Sequence, residues 1–305
     1  MDIATKRLWQ LSLLADHQSI ETAAEIAGQS KSTIYKSVHE IEEQLDVSLF
    51  ARLPDGRMLP IEYGEYLCRQ VKLSLSELRL ALEDILAIQG SLHGRVTIGC
   101  LPSMRPFLLP STLSKLLHEH PDLSIRIEAN PFTQMLRGLL SGDIDVIVGG
   151  TRSGVNDPGL IVEELARDRV CIIAPKNHPL AQIERLTRRH LSDARWILPL
   201  AGTPSRNIFD NCLRQSGVVI PDNCIETGSI TTLGGIMQCD DVLTVGTVYQ
   251  THRERANGQL TILPFKLKDD DWPLGVTLRR ATRPSISSGH LIDYLRTTVR
   301  NAVVE

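Results

Sequence analysis

Residues 19–52 read SIETAAEIAGQSKSTIYKSVHEIEEQLDVSLFAR, and this stretch decides the fold of the amino-terminal part. Its pattern predicts two short helices joined by a tight turn. Ser19 can cap the first helix, and apolar residues then recur on one side. Gly28 can end that helix because glycine tolerates the left-handed conformation, and Ser30 can cap the next helix. A gap of this length is typical of a helix-turn-helix.

The second helix of this pair is predicted to leave one polar face free. Its apolar side is marked at intervals of four, three and four by Ile34, Val38, Ile41 and Leu45. The opposite side carries hydroxyl groups, amines and an imidazole, which suit a DNA major groove. The residues predicted to contact DNA there are Ser30, Lys31, Ser32, Thr33, Tyr35, Lys36 and His39. The alternative is an ordinary amphipathic helix pair within a helical core.

Two short extended runs flank a Pro-Asp-Gly turn within residues 52–60, RLPDGRMLP. This pattern predicts a two-stranded wing. We expect Arg52 and Arg57 to contact phosphates beside the groove, the alternative being a solvated turn. A leucine pattern near the start of the chain predicts a further helix that packs beneath the helix-turn-helix.

Composition narrows the classes of function. With 305 residues there is room for two or three domains, and a net charge of −3 excludes a simple polycation that coats nucleic acid. The six cysteines form no CxxC pair and the nine histidines no HExxH motif, so we expect no metal, no cofactor, no catalytic residues and no enzymatic activity. Neither a signal peptide nor a membrane span is recognisable, so a cytoplasmic location is expected.

Residues 62–89 contain no proline and one glycine, and predict one long helix. A seam spaced four, three, four and three is formed by Val71, Leu75, Leu78, Leu82 and Ile85. We expect this linker helix to pair with a second copy of the chain and so hold two reading helices side by side. The alternative is packing on its own carboxyl-terminal domain. Residues 90–94, GSLHG, are predicted to form a hinge.

After the hinge, alternating strand and helix patterns predict a parallel, doubly wound sheet. A second unit of the same kind follows, and a tail strand at Leu274–Leu278 is expected to rejoin the first unit. The result is two lobes with a cleft between them. We predict a winged helix-turn-helix at 1–60, the linker helix at 61–90, lobe I at 91–163 with 266–305, and lobe II at 164–265.

Ligands gather beyond the carboxyl ends of strands in open α/β sheets, near helix N-termini. The residues predicted at these ends are Cys100, Pro102, Ser103, Pro131, Phe132, Thr151, Thr203, Arg206, Ser229, Thr231 and Thr247. Clustered hydroxyls and helix starts favour an anionic or carboxylate-bearing effector, onto which Arg206 could fork. As alternatives, Arg206 is an ordinary surface arginine, and Ser103 and Thr203 are only helix caps.

The chain resembles the LysR-type transcriptional regulators over nearly its whole length. The resemblance is carried by residues 30–38 (SKSTIYKSV), 41–45 (IEEQL), Leu49, Phe50, Arg52, Leu139, Leu140, Gly142, Asp145 and 178–181 (HPLA). The chain departs from the family where Ser32 replaces a usual proline and Tyr35 a small hydroxyl residue, which puts the operator sequence in doubt.

The resemblance implies an α+β multidomain protein with an N-terminal winged helix-turn-helix, a long linker helix and a C-terminal two-lobed, periplasmic-binding-protein-like α/β effector domain. It also implies a homo-oligomer, commonly a tetramer, that binds double-stranded promoter DNA and changes the bend of that DNA when a small effector enters the cleft. RNA polymerase is a further partner that promoter binding would bring near.

Two alternatives remain open. A solute-binding protein would explain the two lobes but leaves the first ninety residues without a role. A thiol-redox regulator of the same family would use Cys212 and Cys224 as a sensing pair, although structural cysteines fit the pattern better.

Overall fold

The computed structural model describes residues 3–89, 92, 94–101, 108–151, 157–239 and 241–302. Its contacts divide the chain into two compact units. The first consists of residues 1–90 and 136–144, and the second of residues 91–135 and 145–305. Among the described residues, no helix combines the length and the apolar character needed to cross a membrane.

The first unit contains the predicted helix-turn-helix and wing. Its elements are α1 (Thr5–His17), α2 (Ile20–Ala27), α3 (Lys31–Leu45), β1 (Phe50–Arg52), β2 (Met58–Pro60) and α4 (Glu62–Ile88). The Ser19 hydroxyl accepts a hydrogen bond from the Thr22 N–H, and Gly28 ends α2 at φ 59°. The Ser30 hydroxyl caps α3 by accepting from the Thr33 N–H. Both predicted caps and the predicted glycine stop are therefore confirmed.

Close contacts fix α3 against its neighbours. The buried Ser37 hydroxyl donates to Oε1 of Gln10 at 2.6 Å, which ties α3 to α1. Oε1 of Glu42 accepts from the backbone N–H of Leu49 at 2.6 Å and so holds the start of the wing. A Cβ atom at Gly64 would lie 2.0 Å from the Leu49 carbonyl oxygen, so only glycine lets α4 approach the wing.

The long helix α4 has two differently packed parts. Near its middle, the Ser76 hydroxyl donates to the Gly142 carbonyl at 2.9 Å, and Lys72 forms ion pairs with Asp16 and Asp143. Farther along, large apolar side chains of the predicted seam are 53 to 65% exposed, namely Leu78, Leu82 and Ile85. The middle of α4 therefore packs on its own chain, while the apolar side chains farther along it are exposed.

The second unit is built around a mixed sheet. Its strands are β3 (Gly94–Cys100), β4 (Leu123–Glu128), β5 (Val146–Gly150), β6 (Leu160–Pro175), β7 (Arg195–Leu198), β8 (Ile225–Glu226), β9 (Val242–Thr247), β10 (Leu260–Ile262) and β11 (Asp271–Arg279). Its helices are α5 (Leu108–Glu119), α6 (Phe132–Ser141), α7 (Arg188–Ser192), α8 (Pro204–Gln215), α9 (Ile230–Cys239), α10 (His252–Ala256) and α11 (Ile286–Ala302), together with 3₁₀ turns at Pro179–Gln182 and Tyr249–Thr251. The last part of α6, from Leu136, belongs to the first unit.

The strand order is β4-β3-β5-β11-β6-β9-β7-β8, and β10 pairs with β6. As predicted, β3 runs parallel to β4 and β5, and the tail strand β11 rejoins this group by pairing with β5. The sheet is mixed rather than parallel throughout, because β11 is antiparallel to β5 and β6 and β6 is antiparallel to β9. These two strands join a parallel group at each end of the sheet.

Strand β6 spans 16 residues, Leu160–Pro175. Its first part, from Leu160 to Arg169, pairs with β11, and its later part pairs with β9. Exposed charged residues such as Glu164, Arg167 and Arg169 conceal the first part of the strand in the sequence, although its backbone remains paired. Gly275 is required opposite it, since a Cβ there would lie 1.9 Å from the Glu163 carbonyl oxygen.

Candidate functional site

The predicted reading face of α3 is open to solvent. Its exposed side chains are Ser30, Lys31, Ser32, Tyr35, Lys36 and His39, and Thr33 is half-buried. Ile34, Val38 and Ile41 lie beneath them in the core, as the spacing predicts. The Ser30 hydroxyl also lies 2.8 Å from the hydroxyls of Ser32 and Thr33. One face therefore presents hydroxyls, two amines, a phenol and an imidazole together.

The basic side chains of this face lie beside acids of the same unit. The pairs are Lys31 with Glu21, Lys36 with Glu40 at 3.8 Å, and His39 with Glu43 at 3.6 Å. The hydrogen bond from Lys31 lowers the pKa of Glu21. Exposed ion pairs of this kind are weak because water and salt screen them, so a phosphate can replace the carboxylate at little cost.

Both predicted wing arginines are exposed. Nε of Arg57 donates to Asp55 at 2.8 Å, and the backbone N–H and side chain of Arg57 lower the pKa of that carboxyl. Arg52 lies on β1, opposite Met58 of β2. Both guanidinium groups can therefore reach an anion without unpacking the wing.

The predicted effector residues that the structure describes fall into two groups, one open to solvent and one buried. Pro102 and Ser103 lie outside the described residues. The exposed or half-buried residues, open to a ligand, are Pro131, Phe132, Thr151, Thr203, Ser229 and Thr231. Cys100, Arg206 and Thr247 are buried, with Cys100 and Thr247 wholly inaccessible. The structure therefore closes part of the predicted site.

Arg206 is held by its own chain. Its Nε donates to Asp210 at 2.7 Å, and one terminal nitrogen donates to the Pro199 carbonyl at 2.7 Å and to Glu226 at 2.6 Å. Burial lowers the pKa of Arg206, but the hydrogen bonds that its guanidinium donates to the two carboxylates outweigh burial and raise the pKa. A contact with an effector would have to displace one of these carboxylates. The alternative of an ordinary surface arginine is wrong because only 9% of the residue is exposed.

Thr247 lies at the carboxyl end of β9, as the sequence pattern predicts. Its hydroxyl bonds to Asp168, a buried residue that sequence reasoning missed. Asp168 also accepts from the backbone N–H groups of Arg169 at 2.7 Å and Tyr249 at 3.1 Å. Burial raises the pKa of Asp168 in spite of these bonds. Thr247 and Asp168 thus fasten β6 to the turn after β9.

Two hydroxyls predicted in the site cap helices. Thr203 accepts from the Arg206 N–H and donates to the Leu200 carbonyl at 2.8 Å, so its alternative role as a cap is confirmed. Ser229 accepts from the Thr232 N–H at 3.1 Å at the start of α9. The buried Cys100 thiol donates to the Leu101 carbonyl at 3.5 Å.

Sequence reasoning also missed Trp272, which begins the return strand β11. Its ring lies 5.5 Å from that of Phe209 in α8, and its indole edge covers Gly150 at the end of β5. A Cβ at Gly150 would lie 2.8 Å from Nε1 of Trp272, so the approach depends on glycine. No local sequence signal marks this contact, because the three residues come from distant elements.

The cysteines are free thiols. Cys212 is fully buried, and its thiol donates to the Asp269 carbonyl at 3.1 Å, while Cys224 is half-buried. Burial raises the pKa of Cys68 and of Cys171 to about 12, which disfavours thiolates there. The part of the chain that the structure describes has no group of three or more His, Cys, Asp or Glu residues placed to hold a metal ion.

Two family models match the chain. The model described as "Bacterial regulatory helix-turn-helix protein, lysR family" matches residues 7–65, and the "LysR substrate binding domain" model matches residues 89–300. The transcriptional regulator GalR of Pseudomonas putida is 28% identical over 96% of this chain and 74% of its own length. The regulator PcaQ of Agrobacterium fabrum is 26% identical over 93% of this chain and 91% of its own.

Solved structures share the fold at low identity. A full-length OxyR variant from Pseudomonas aeruginosa has a TM-score of 0.72 at 19% identity, covering 98% of each chain. Full-length CbnR, solved with its target DNA, has a TM-score of 0.65 at 13% identity and covers 97% of this chain and 99% of its own. With both family models matched in order along the sequence, the chain belongs to the LysR family of transcriptional regulators and carries that family's effector-binding domain.

Proposed function

We propose that this regulator reads two-fold-symmetric promoter DNA with a pair of α3 helices and responds to a small anionic effector bound by its second unit. The observation that carries the DNA-binding part is the exposed face of α3, where Lys31, Ser32, Tyr35, Lys36 and His39 lie together over a buried apolar side. Such a helix can enter a major groove while its core-facing side stays packed.

Pairing of the reading heads, which are the helix-turn-helix and wing of each copy of the chain, depends on α4. Its exposed stripe of Leu78, Leu82, Ile85 and Ile88 would be costly to leave in water, and a second α4 is the complementary surface. A dimer made this way presents two α3 helices to successive turns of the duplex. Two such dimers would form the tetramer that we propose, and the solved complex of CbnR with DNA supports DNA binding by this fold.

The effector is proposed to contact the open residues at strand ends and helix starts. Pro131 and Phe132 begin α6, Thr151 follows β5, and Ser229 with Thr231 begins α9. Hydroxyls and free N–H groups of this kind suit a carboxylate. Cys100, Arg206 and Thr247 join the contacts only if the bound state rearranges their present partners.

A continuous route leads from this site to the reading head. Helix α6 starts at Phe132 and leads into the loop with Gly142 and Asp143, which contact Ser76 and Lys72 of α4. Lys72 also pairs with Asp16 of α1. An effector that favours one position of α6 therefore biases the contacts of α4 with the head, which is a population shift.

A redox role for Cys212 and Cys224 is not supported, since Cys212 is sealed in the core and its thiol already donates to Asp269. The curated relatives named above are transcriptional regulators, which supports regulation rather than catalysis.

The test combines two measurements on the full-length protein. A duplex selected from a random library is labelled, and its affinity is measured by fluorescence anisotropy. A thermal-shift screen of small carboxylates, sugars and aromatic acids then finds compounds that raise the melting temperature. We expect such a compound to change the affinity for the duplex in the wild type and to do so more weakly in Lys72→Met.

The matched control is Lys115→Met, which removes an exposed lysine from α5. An effect of the compound on DNA affinity that is equal in both variants would contradict the proposed route. Compounds that stabilise the protein without changing DNA affinity would contradict effector control itself.

A further inference from the structure

Among the described residues, the indole N–H of Trp272 is a buried donor without a hydrogen-bond acceptor. Only 6% of the residue is exposed, and its Nε1 atom is closed to solvent and makes no hydrogen bond within the described part of the chain. The other buried tryptophan, Trp196, donates its indole N–H to the Leu191 carbonyl at 2.8 Å. Buried polar groups are nearly always paired, so the Trp272 donor is expected to have an acceptor other than the described residues.

The surroundings of this donor are those of the proposed effector site. The indole edge with Nε1 lies over Gly150, directly before Thr151, at the carboxyl end of β5. The ring also contacts Phe209 of α8, the helix that starts next to Thr203. Trp272 thus lies between two elements that both carry predicted effector residues.

A pair of glycines makes room at this strand end. Side chains of successive strand residues point to opposite faces, so Gly149 and Gly150 open one face each. A Cβ at Gly149 would lie 2.3 Å from Cβ of Leu101, and one at Gly150 would lie 2.8 Å from Nε1 of Trp272. Leu101 and Trp272 therefore cover the two faces of the strand end, one with an aliphatic group and the other with a donor.

We propose that Trp272 is a specificity-determining residue of the effector site, where its indole N–H donates to a carboxylate oxygen of the bound effector. Indole is a donor only, so its complement is an acceptor, and an ionised acceptor gives the stronger bond. This inference rests on the proposed function and names the group by which the effector is recognised. The bond is gained only in the bound state, so it contributes directly to the population shift.

The experiment compares Trp272→Phe with Trp196→Phe in the full-length protein. The probes are acetate, succinate, benzoate and 4-hydroxybenzoate, each paired with its neutral amide. We expect the wild type to bind at least one acid more tightly than its amide. Trp272→Phe should bind that acid about tenfold more weakly, the loss of one charge-assisted hydrogen bond. Trp196→Phe should keep the wild-type affinity.

Stability without any probe provides an independent arm. Both substitutions remove the same buried ring volume and leave a similar cavity, but only Trp196→Phe also leaves a paired acceptor unsatisfied. We therefore expect both variants to melt below the wild type, and Trp196→Phe to melt lower than Trp272→Phe. Equal destabilisation of the two variants would overturn the inference, because Trp272 would then be paired in solution.

Proton–nitrogen correlation spectra of the indole groups give the direct readout. The Trp272 signal, assigned as the one missing in Trp272→Phe, should move downfield when the bound acid is added, while the Trp196 signal stays in place. An unmoved Trp272 signal with a saturating acid would overturn the inference. So would an absence of binding by all four acids, and DNA binding, measured separately, would then decide whether the rest of the proposed function stands.

Discussion

The reading face of the first unit can bind an anion as it stands, whereas the predicted effector site of the second unit must first rearrange. On α3 the cations are exposed and held only by surface ion pairs, as in Lys31 with Glu21. In the second unit the corresponding cation, Arg206, is buried and bonded to Asp210 and Glu226. The first surface can accept an anion without rearrangement, while the second has to exchange internal bonds for bonds to a ligand. A regulator benefits from this difference, because DNA binding then needs no internal rearrangement, whereas effector binding does.

The largest expected effect concerns the exposed apolar stripe of α4 in the first unit, where we expect two copies of the chain to pair. Leu82→Glu places a charge on the exposed stripe of α4, where Leu82 is 65% exposed. Burial of a leucine contributes about 1.5 to 3 kcal/mol and two copies are affected, so dimer dissociation should increase more than about 100-fold. Sedimentation equilibrium measures it.

The matched control is Val219→Glu, which alters an apolar residue of the second unit that is 71% exposed. This variant should dimerise normally. A Leu82→Glu protein as dimeric as the wild type would show that α4 is not the pairing surface.

The second prediction tests whether the internal hydrogen bonds of buried Arg206 stabilise the second unit. Arg206→Met removes three hydrogen bonds and should destabilise the second unit by about 2 kcal/mol. The control Arg214→Met alters an exposed arginine of the same helix and should be neutral. Urea denaturation gives both values. Equal stability of the two variants would mean that the bonds of Arg206 are not formed in solution.

The third prediction tests the open side. Lys36→Ala should weaken binding to the selected duplex about fivefold and reduce the salt dependence by about one phosphate contact, with the melting temperature unchanged. Lys6→Ala, on the exposed side of α1, is the control and should bind normally. If both variants bind alike, α3 does not face the DNA.

The smallest expected effect tests the claim that a DNA phosphate easily replaces the carboxylate in the surface ion pairs of α3. Glu21→Gln removes the charged partner of Lys31, so affinity for the duplex should rise about threefold, because an exposed ion pair is weak. Anisotropy at low salt would detect it. A loss of affinity would instead assign Glu21 a role in positioning α3.

Local features were the ones that the sequence could predict. Ser19, Gly28 and Ser30 act within a few residues of their own positions, so capping rules identified them correctly. The course of β6 could not be read in this way, since its charged first half is held in place by pairing with the distant β11. Long-range pairing overrode the local pattern there.

The same reason explains what was missed in the effector site. Arg206 closes onto Glu226, and Trp272 covers Gly150, through contacts between elements far apart in the chain. Helix starts and strand ends could be located from the sequence, but whether a side chain there is free or already bonded depends on these contacts.

The central claim is that the paired helix-turn-helix heads bind DNA without an effector. The most direct test is to select duplexes from a random library with the full-length protein in the absence of any added effector. We predict enrichment of a sequence with two symmetric half-sites whose centres lie about 10 base pairs, or a multiple of that, apart. Enrichment of no sequence at all, or of a single unpaired site, would contradict the account.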